Sequence, residues 1–292
     1  MNLTKSSASI GLFATATPTA PGATGKVNLG APAETVNLPD GQIQYDVVAV
    51  FAAAAANLVL DLSINSTTGS TAWVAGVAQV KTATAAGSVT ANGNCSVIIT
   101  AAGMIGSPKT FNVPVLAGDT PSVWAGKVRT ALAADFYVSE MFTVSGAGTS
   151  IVLTRKPLAT YKVPGGTLNL YAANDATLNI ALATGTATGI TAAPTAASTT
   201  AGVASAGVKI YGGAGKDFEG NALDSINGIY GLLLRSEEVA ITADGSGTDL
   251  FRVNSGESFL KVSASELLLD TSYTFTSGSR GKLSITVLAG GF

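Results

Sequence analysis

The chain has 292 residues, of which 47% are hydrophobic but only 7% aromatic and 12% charged, with 34 glycines, one cysteine, no histidine and a formal net charge of −2. That length can bury a core without disulfides, and the hydrophobicity is too high for a disordered chain. Without histidine the commonest general base and metal ligand are missing, which excludes zinc sites, Ser-His-Asp triads and Cys-His dyads. Without a basic excess, nucleic-acid binding has no electrostatic support.

Residues 1–32 are rich in Ala, Thr, Pro and Gly and have little periodicity, which predicts an extended N-terminal arm that orders against a neighbouring subunit. Its apolar residues Leu3, Ile10, Leu12 and Phe13, with the C-terminal Phe292, are the candidate assembly contacts. Strand patterning begins near residue 34, with Val36 and Leu38 before the turn Pro39-Asp40-Gly41. Residues 45–51 are rich in Val. The five alanines at 52–56 suit a helical turn or a close-packed strand. Leu58, Leu60 and Leu62 alternate with polar and small neighbours, so a strand is expected. The longest apolar run, 47–60, is too short to span a bilayer, and no secretion signal is evident.

From residue 77 the texture changes. A Thr/Ala/Gly stretch leads to a strand at 95–100, where Cys95, Val97 and Ile99 share one face, so Cys95 reads as a buried structural thiol. A second strand is expected at 109–116. The one convincing helix follows at 122–135, with Asp119 or Thr120 as N-cap and Pro121 in the first turn. Trp124, Val128, Ala131, Leu132 and Phe136 recur at helical spacing and predict its buried stripe. A hairpin joins 142–145 to 150–154 through Gly146-Ala147-Gly148. Residues 156–171, with Pro157, Pro164, Gly165 and Gly166, predict an excursion carrying one more hairpin. Leu178, Ile180 and Leu182 mark a strand, and 184–202 read as a small-residue linker or a strand of low pattern.

After residue 203 the first texture returns. Strands are expected at 208–211, 226–234, 239–241, 250–253 and 258–262, and at the alternating Leu283, Ile285 and Val287. Strands at short intervals with Gly/Asp turns predict an antiparallel sandwich. The expected fold class is therefore mainly β: an antiparallel β-sandwich interrupted by an inserted small α+β domain with one helix. The expected domains are the arm (1–32), a discontinuous sandwich (33–76 plus 204–292) and the insert (77–203). Residues 1–76 alone hold too few strands to bury both faces of a sandwich.

The middle segment resembles an Ig-like domain found repeatedly in virion proteins of tailed bacteriophages, over about residues 77–203. The residues that carry the resemblance are Ile99-Thr100-Ala101-Ala102-Gly103-Met104-Ile105-Gly106-Ser107-Pro108-Lys109-Thr110, Ala117-Gly118-Asp119-Thr120, Gly126-Lys127-Val128-Arg129-Thr130-Ala131-Leu132, Phe142-Thr143-Val144-Ser145-Gly146, Ala173-Asn174-Asp175-Ala176-Thr177-Leu178-Asn179-Ile180 and Thr199-Thr200-Ala201-Gly202-Val203. The chain departs from the pattern at Pro114, which marks an edge strand or a bulge, and in the added length at 156–171. The flanks are similar to β-sandwich phage structural proteins through Leu60-Asp61-Leu62 and the Gly256 to Leu260 bend. The resemblance implies a virion component assembled in the host cytoplasm. Expected partners are further copies of itself, the major capsid protein, or both, in a homo-oligomer on the particle, with no nucleic acid and no membrane.

Candidate chemical groups read as structural. Asp244 and Asp249 bracket a loop without the spacing of a calcium site, Glu237-Glu238 and the pair Asp217 and Glu219 read as surface charge, and Lys127 and Arg129 lie on a solvated helix face. The glycines at 212, 213 and 215 before Lys216 lack the order of a phosphate loop, and Trp73 and Trp124 read as anchors. The expectation is a non-enzymatic protein with no catalytic residue, cofactor or metal: a capsid decoration or cement protein. The alternatives are a tail-tube or fibre subunit, or a glycan-binding adhesin-like module using Tyr161, Tyr171 and Trp73.

Overall fold

A computed structural model describes residues 15–16, 26–28, 35–37, 43–61, 66–69, 72–191, 198–211, 229–245, 250–262 and 272–289. In chain order the first strands are β1 (Thr15–Ala16), β2 (Lys26–Asn28), β3 (Thr35–Asn37), β4 (Ile43–Phe51), β5 (Asn57–Asp61) and β6 (Ser66–Gly69). Then come β7 (Val80–Thr84), β8 (Gly93–Thr100), β9 (Lys109–Val115), α1 (Pro121–Ala134), α2 (Phe136–Met141), β10 (Phe142–Ser145), β11 (Ser150–Arg155), β12 (Ala159–Val163), β13 (Gly166–Leu170) and β14 (Asn179–Ala183). The last group is β15 (Val208–Tyr211), β16 (Ile229–Glu237), β17 (Ile241–Gly245), β18 (Leu250–Val253), β19 (Ser258–Val262), β20 (Ser272–Ser277) and β21 (Gly281–Ala289). The protein is mainly β, and its strand pairings are antiparallel.

The chain divides into two compact units. The first holds Met1–Val74, Tyr161–Leu168 and Ala206–Phe292; the second holds Ala75–Thr160 and Asn169–Ser205. Residues 161–168, the tip of the β12–β13 hairpin, thus belong with the first unit.

In the first unit two five-stranded sheets run β15-β4-β21-β16-β19 and β18-β17-β20-β5-β6. They share one apolar core. Val47, Ala49 and Phe51 of β4, Leu232 and Leu234 of β16, and Leu283, Ile285 and Val287 of β21 come from one sheet. Leu58 and Leu60 of β5, Ile241 and Ala243 of β17, and Tyr273 and Phe275 of β20 come from the other. The reason is period-2 alternation: β4 and β21 pair Val47 with Ile285 and Ala49 with Leu283, so their apolar sets share a face. The five alanines form neither a helical turn nor a strand. They are the turn from β4 to β5, with Ala55 at φ 58. Within the expected arm β1 and β2 pair with each other, and β2 also pairs with β3, which lies beyond the arm.

In the second unit the sheets are β10-β11-β7 and β14-β8-β9, with the base of the β12–β13 hairpin. Helix α1 buries Trp124, Ala125, Val128 and Leu132 in a core with Val97 and Ile99 of β8, Ile151 and Leu153 of β11, and Ile180 and Leu182 of β14. The indole N–H of Trp124 donates to the Gly87 carbonyl at 3.0 Å, so the ring is buried with its polar atom satisfied. Pro114 lies in β9, an edge strand of its sheet, where a missing N–H removes no ladder bond.

Two helices stand where one was expected. Asp135 leaves the helical conformation at φ −79, ψ 126, and its carboxylate accepts from the Val138 N–H, capping α2. The break moves Phe136 out of the predicted stripe, leaving it 65% exposed, and Val138 takes the inside position.

Of the two readings of 184–202, the strand of low pattern fits better than the linker, because the small-residue stretches on either side of β8–β14 are bridged. They run antiparallel to each other, bridging at Val74–Ala206, Val77–Val203 and Val80–Thr200, then at Ala86–Thr191 and Ala91–Thr188. Gly87 and Gly189 explain the composition. A Cβ on Gly87 would lie 2.2 Å from the Gly189 carbonyl oxygen, and one on Gly189 would lie 2.2 Å from the Ser88 carbonyl oxygen. Only residues without side chains allow the backbones to approach this closely.

Candidate functional site

The predicted assembly residues Leu3, Ile10, Leu12, Phe13 and Phe292 lie outside the described residues, as do Asp217, Glu219, Lys216 and residues 246–249. Asp244 pairs with Leu250 and Thr274 in the ladder. Among the described residues no group of three or more His, Cys, Asp or Glu gathers as a metal site, and no helix is long and apolar enough to cross a membrane.

Several of the described ionisable groups hold backbone in place. Asp119 accepts from the Leu116 N–H, which with the Lys127 ammonium beside it lowers its pKa. Burial pushes the Asp135 carboxyl up, but bonds from Lys109 and Val138 outweigh it and leave the pKa lowered. Arg129 on α1 donates to the Ser150 carbonyl at 2.6 Å and to Gly148 at 3.1 Å, fastening the β10–β11 turn to the helix. Lys127 and Arg129 are therefore engaged rather than simply solvated. Cys95 is fully buried, and burial raises its thiol pKa to about 11.

The main polar cluster was not legible in the sequence. Gln79, 1% exposed, spans the backbone of Asp175: its amide N–H donates to the Asp175 carbonyl at 2.8 Å, and its carbonyl accepts from the Asp175 N–H at 2.8 Å. The Asp175 carboxylate accepts from the Ala102 N–H at 2.7 Å and from the N–H and hydroxyl of Thr177 at 2.9 and 2.6 Å. Burial raises this carboxyl, but the bonds from Thr177 and Ala102 prevail and its pKa is lowered. Nothing local in the sequence marks Gln79, because its partner is 96 residues away.

In the first unit Glu237 ends β16 and Glu238 follows it in the turn. Glu237 pairs with Lys282 at 2.8 Å, and Glu238, at φ 60, accepts from the Tyr161 hydroxyl at 3.0 Å. Both carboxylates stay at the surface, as the surface-charge reading expects, and each has a partner there. Tyr161 is 3% exposed, so it is no outward platform for a ligand, while Trp73 and Tyr171 are half-buried.

The outward-facing aromatic feature of the second unit is one the predicted stripe had turned inward. Phe136 and Tyr137 meet edge to face at 5.5 Å, and the Lys109 ammonium lies 4.7 Å from the Tyr137 ring. Ile105, Leu116 and Val123 of the same unit are also exposed. Such side chains can bind by being covered, without covalent chemistry.

Comparison with known proteins returns no matching family, no similar curated protein and no similar solved structure.

Proposed function

We propose that the chain is a non-enzymatic structural component of a tailed-phage virion, a capsid decoration or cement protein that binds the head by surface complementarity. Its partners in this reading are the major capsid protein and neighbouring copies of itself, and its place is the finished particle. The motifs across residues 77–203 supply the family side of the argument. The observation that carries the physical side is the outward Phe136–Tyr137 pair beside Lys109. Aromatic side chains of this kind anchor protein interfaces, because they bury a large area at little conformational cost.

The test is occupancy of gradient-purified particles, read by quantitative mass spectrometry, for the full chain, for Phe136→Asp and for a chain lacking residues 1–32. The proposal expects many copies per particle, with each change lowering occupancy at least tenfold. A full chain recovered only in the soluble fraction would refute it. Deletion of the arm without effect would refute the arm contacts at Leu3, Ile10, Leu12 and Phe13. Glycan binding lost in Phe136→Asp would instead favour the adhesin-like reading.

A further inference from the structure

Residues 161–168 sit in the first unit, and their fastening differs from the rest of that unit. None of them is part of either apolar core. The Tyr161 ring is buried, and two side-chain hydrogen bonds fasten the segment. The Tyr161 hydroxyl donates to the Glu238 carboxylate at 3.0 Å, and the Lys282 ammonium donates to the Lys162 carbonyl at 3.0 Å. Both acceptor and donor are prepared in advance. Glu238 occupies the left-handed region, which a residue with a side chain enters only at a cost, at the turn after β16. Lys282 is 8% exposed and is steadied by Glu237 at 2.8 Å.

Lys282 pairs with Val50 across the β4–β21 ladder, and Ser284 pairs with Val48, so these four side chains share one face of the sheet. It is the face opposite Ala49 and Leu283, which point into the core. A sheet face turned away from its core is ordinarily wet and polar. Here Val48 and Val50 are buried on it. The bond from Lys282 to Lys162 draws the hairpin tip to this same face.

We propose that residues 161–168 form a latch, fastened at Glu238 and at Lys282 on the outer face of β21, which opens as a unit while both apolar cores stay folded. The strained Glu238 is its positioning residue, aiming a carboxylate at Tyr161. A two-stranded hairpin is marginal in water by itself. Once the tip is unfastened, β12 and β13 therefore fray together, and the Lys162–Val163 bond opens to protease.

The test is limited trypsin digestion of the native full chain, with cleavage after Lys162 followed by mass spectrometry. Wild type, Tyr161→Phe, Glu238→Ala and Glu238→Gln are compared, and cuts after Lys209, Arg235 and Lys282 report on the sandwich. Proteolysis of a transiently open segment follows the population of the open form when reclosing is fast. Losing a hydrogen bond to a charged group corresponds to roughly tenfold or more in that population. The proposal expects cleavage after Lys162 to rise by at least that factor in Tyr161→Phe and Glu238→Ala, and by less in Glu238→Gln, which keeps a neutral acceptor. The three sandwich sites should stay uncut on the same timescale. Cleavage after Lys162 at the wild-type rate in both variants would overturn the latch. So would cleavage that rises only together with the sandwich sites, because the tip would then open with the whole unit.

Discussion

A buried amide or carboxylate destabilises a fold unless its hydrogen bonds are made, and Gln79 and Asp175 meet that condition through each other's loops. Gln79→Leu keeps the volume but strips both bonds from the Asp175 backbone. Its expected cost is about 2–4 kcal/mol, measured by urea denaturation. Thr82→Val, which removes only the exposed hydroxyl contact to Thr199, is expected to cost less than about 1 kcal/mol. The lowered carboxyl pKa values of Asp119, Asp135 and Asp175 fix the sign of an acid effect. A carboxyl held below its unfolded value contributes stability that is complete above that value and disappears as pH falls through the folded one. The urea midpoint is therefore expected to be level from neutral pH down to about 5 and to drop below about 4. In Asp175→Asn the drop should be shallower, since Asp175 is the most buried of the three. A midpoint rising toward acid would contradict these assignments. None of this was readable from composition, which shows how many carboxylates the chain has but not which backbone N–H groups they meet.

At the scale of elements, strands declared themselves where one face is buried and the other is wet. Leu58 and Leu60, Leu283 to Val287, and Cys95 to Ile99 alternate as the pleat requires, and each set lies in a core. Helix α1 was legible for the parallel reason, through Trp124, Val128 and Leu132. The failures share a cause: a local pattern continued across a break set by something the pattern does not contain. Phe136 fits the stripe, yet Asp135 captures the Val138 N–H and starts a new helix. The small-residue stretches show no period because their residues are chosen for backbone approach, not for a face. Three glycine substitutions separate these constraints. Gly126→Ala lies inside α1 with its nearest neighbour, the Arg129 guanidinium, 3.6 Å from the new methyl, so it should stabilise by about 0.5–1 kcal/mol. Gly118→Ala has open space but φ 92, and should cost about 1–2 kcal/mol. Gly87→Ala adds a steric clash with Gly189 to φ 76 and should be the worst of the three, at about 3 kcal/mol or more. Thermal midpoints of the three variants check the order, and a stable Gly87→Ala would refute the close crossing.

For the whole molecule, the physical premise is that each unit has its own apolar core, and that the core of the first is made from runs far apart in the chain. Ile285→Ala and Leu153→Ala each empty a fully buried site and should each cost about 2–5 kcal/mol. Hydrogen-exchange protection is expected to fall mainly in β4, β16 and β21 for the first and in β8, β11 and β14 for the second. The functional claim is that this body works by being bound to a phage head. Its most direct test is negative-stain microscopy of purified virions labelled with a gold-conjugated antibody against the protein. The account predicts gold distributed over the heads. Gold along the tails or at their tips would contradict the head assignment, and unlabelled particles would contradict the virion role itself.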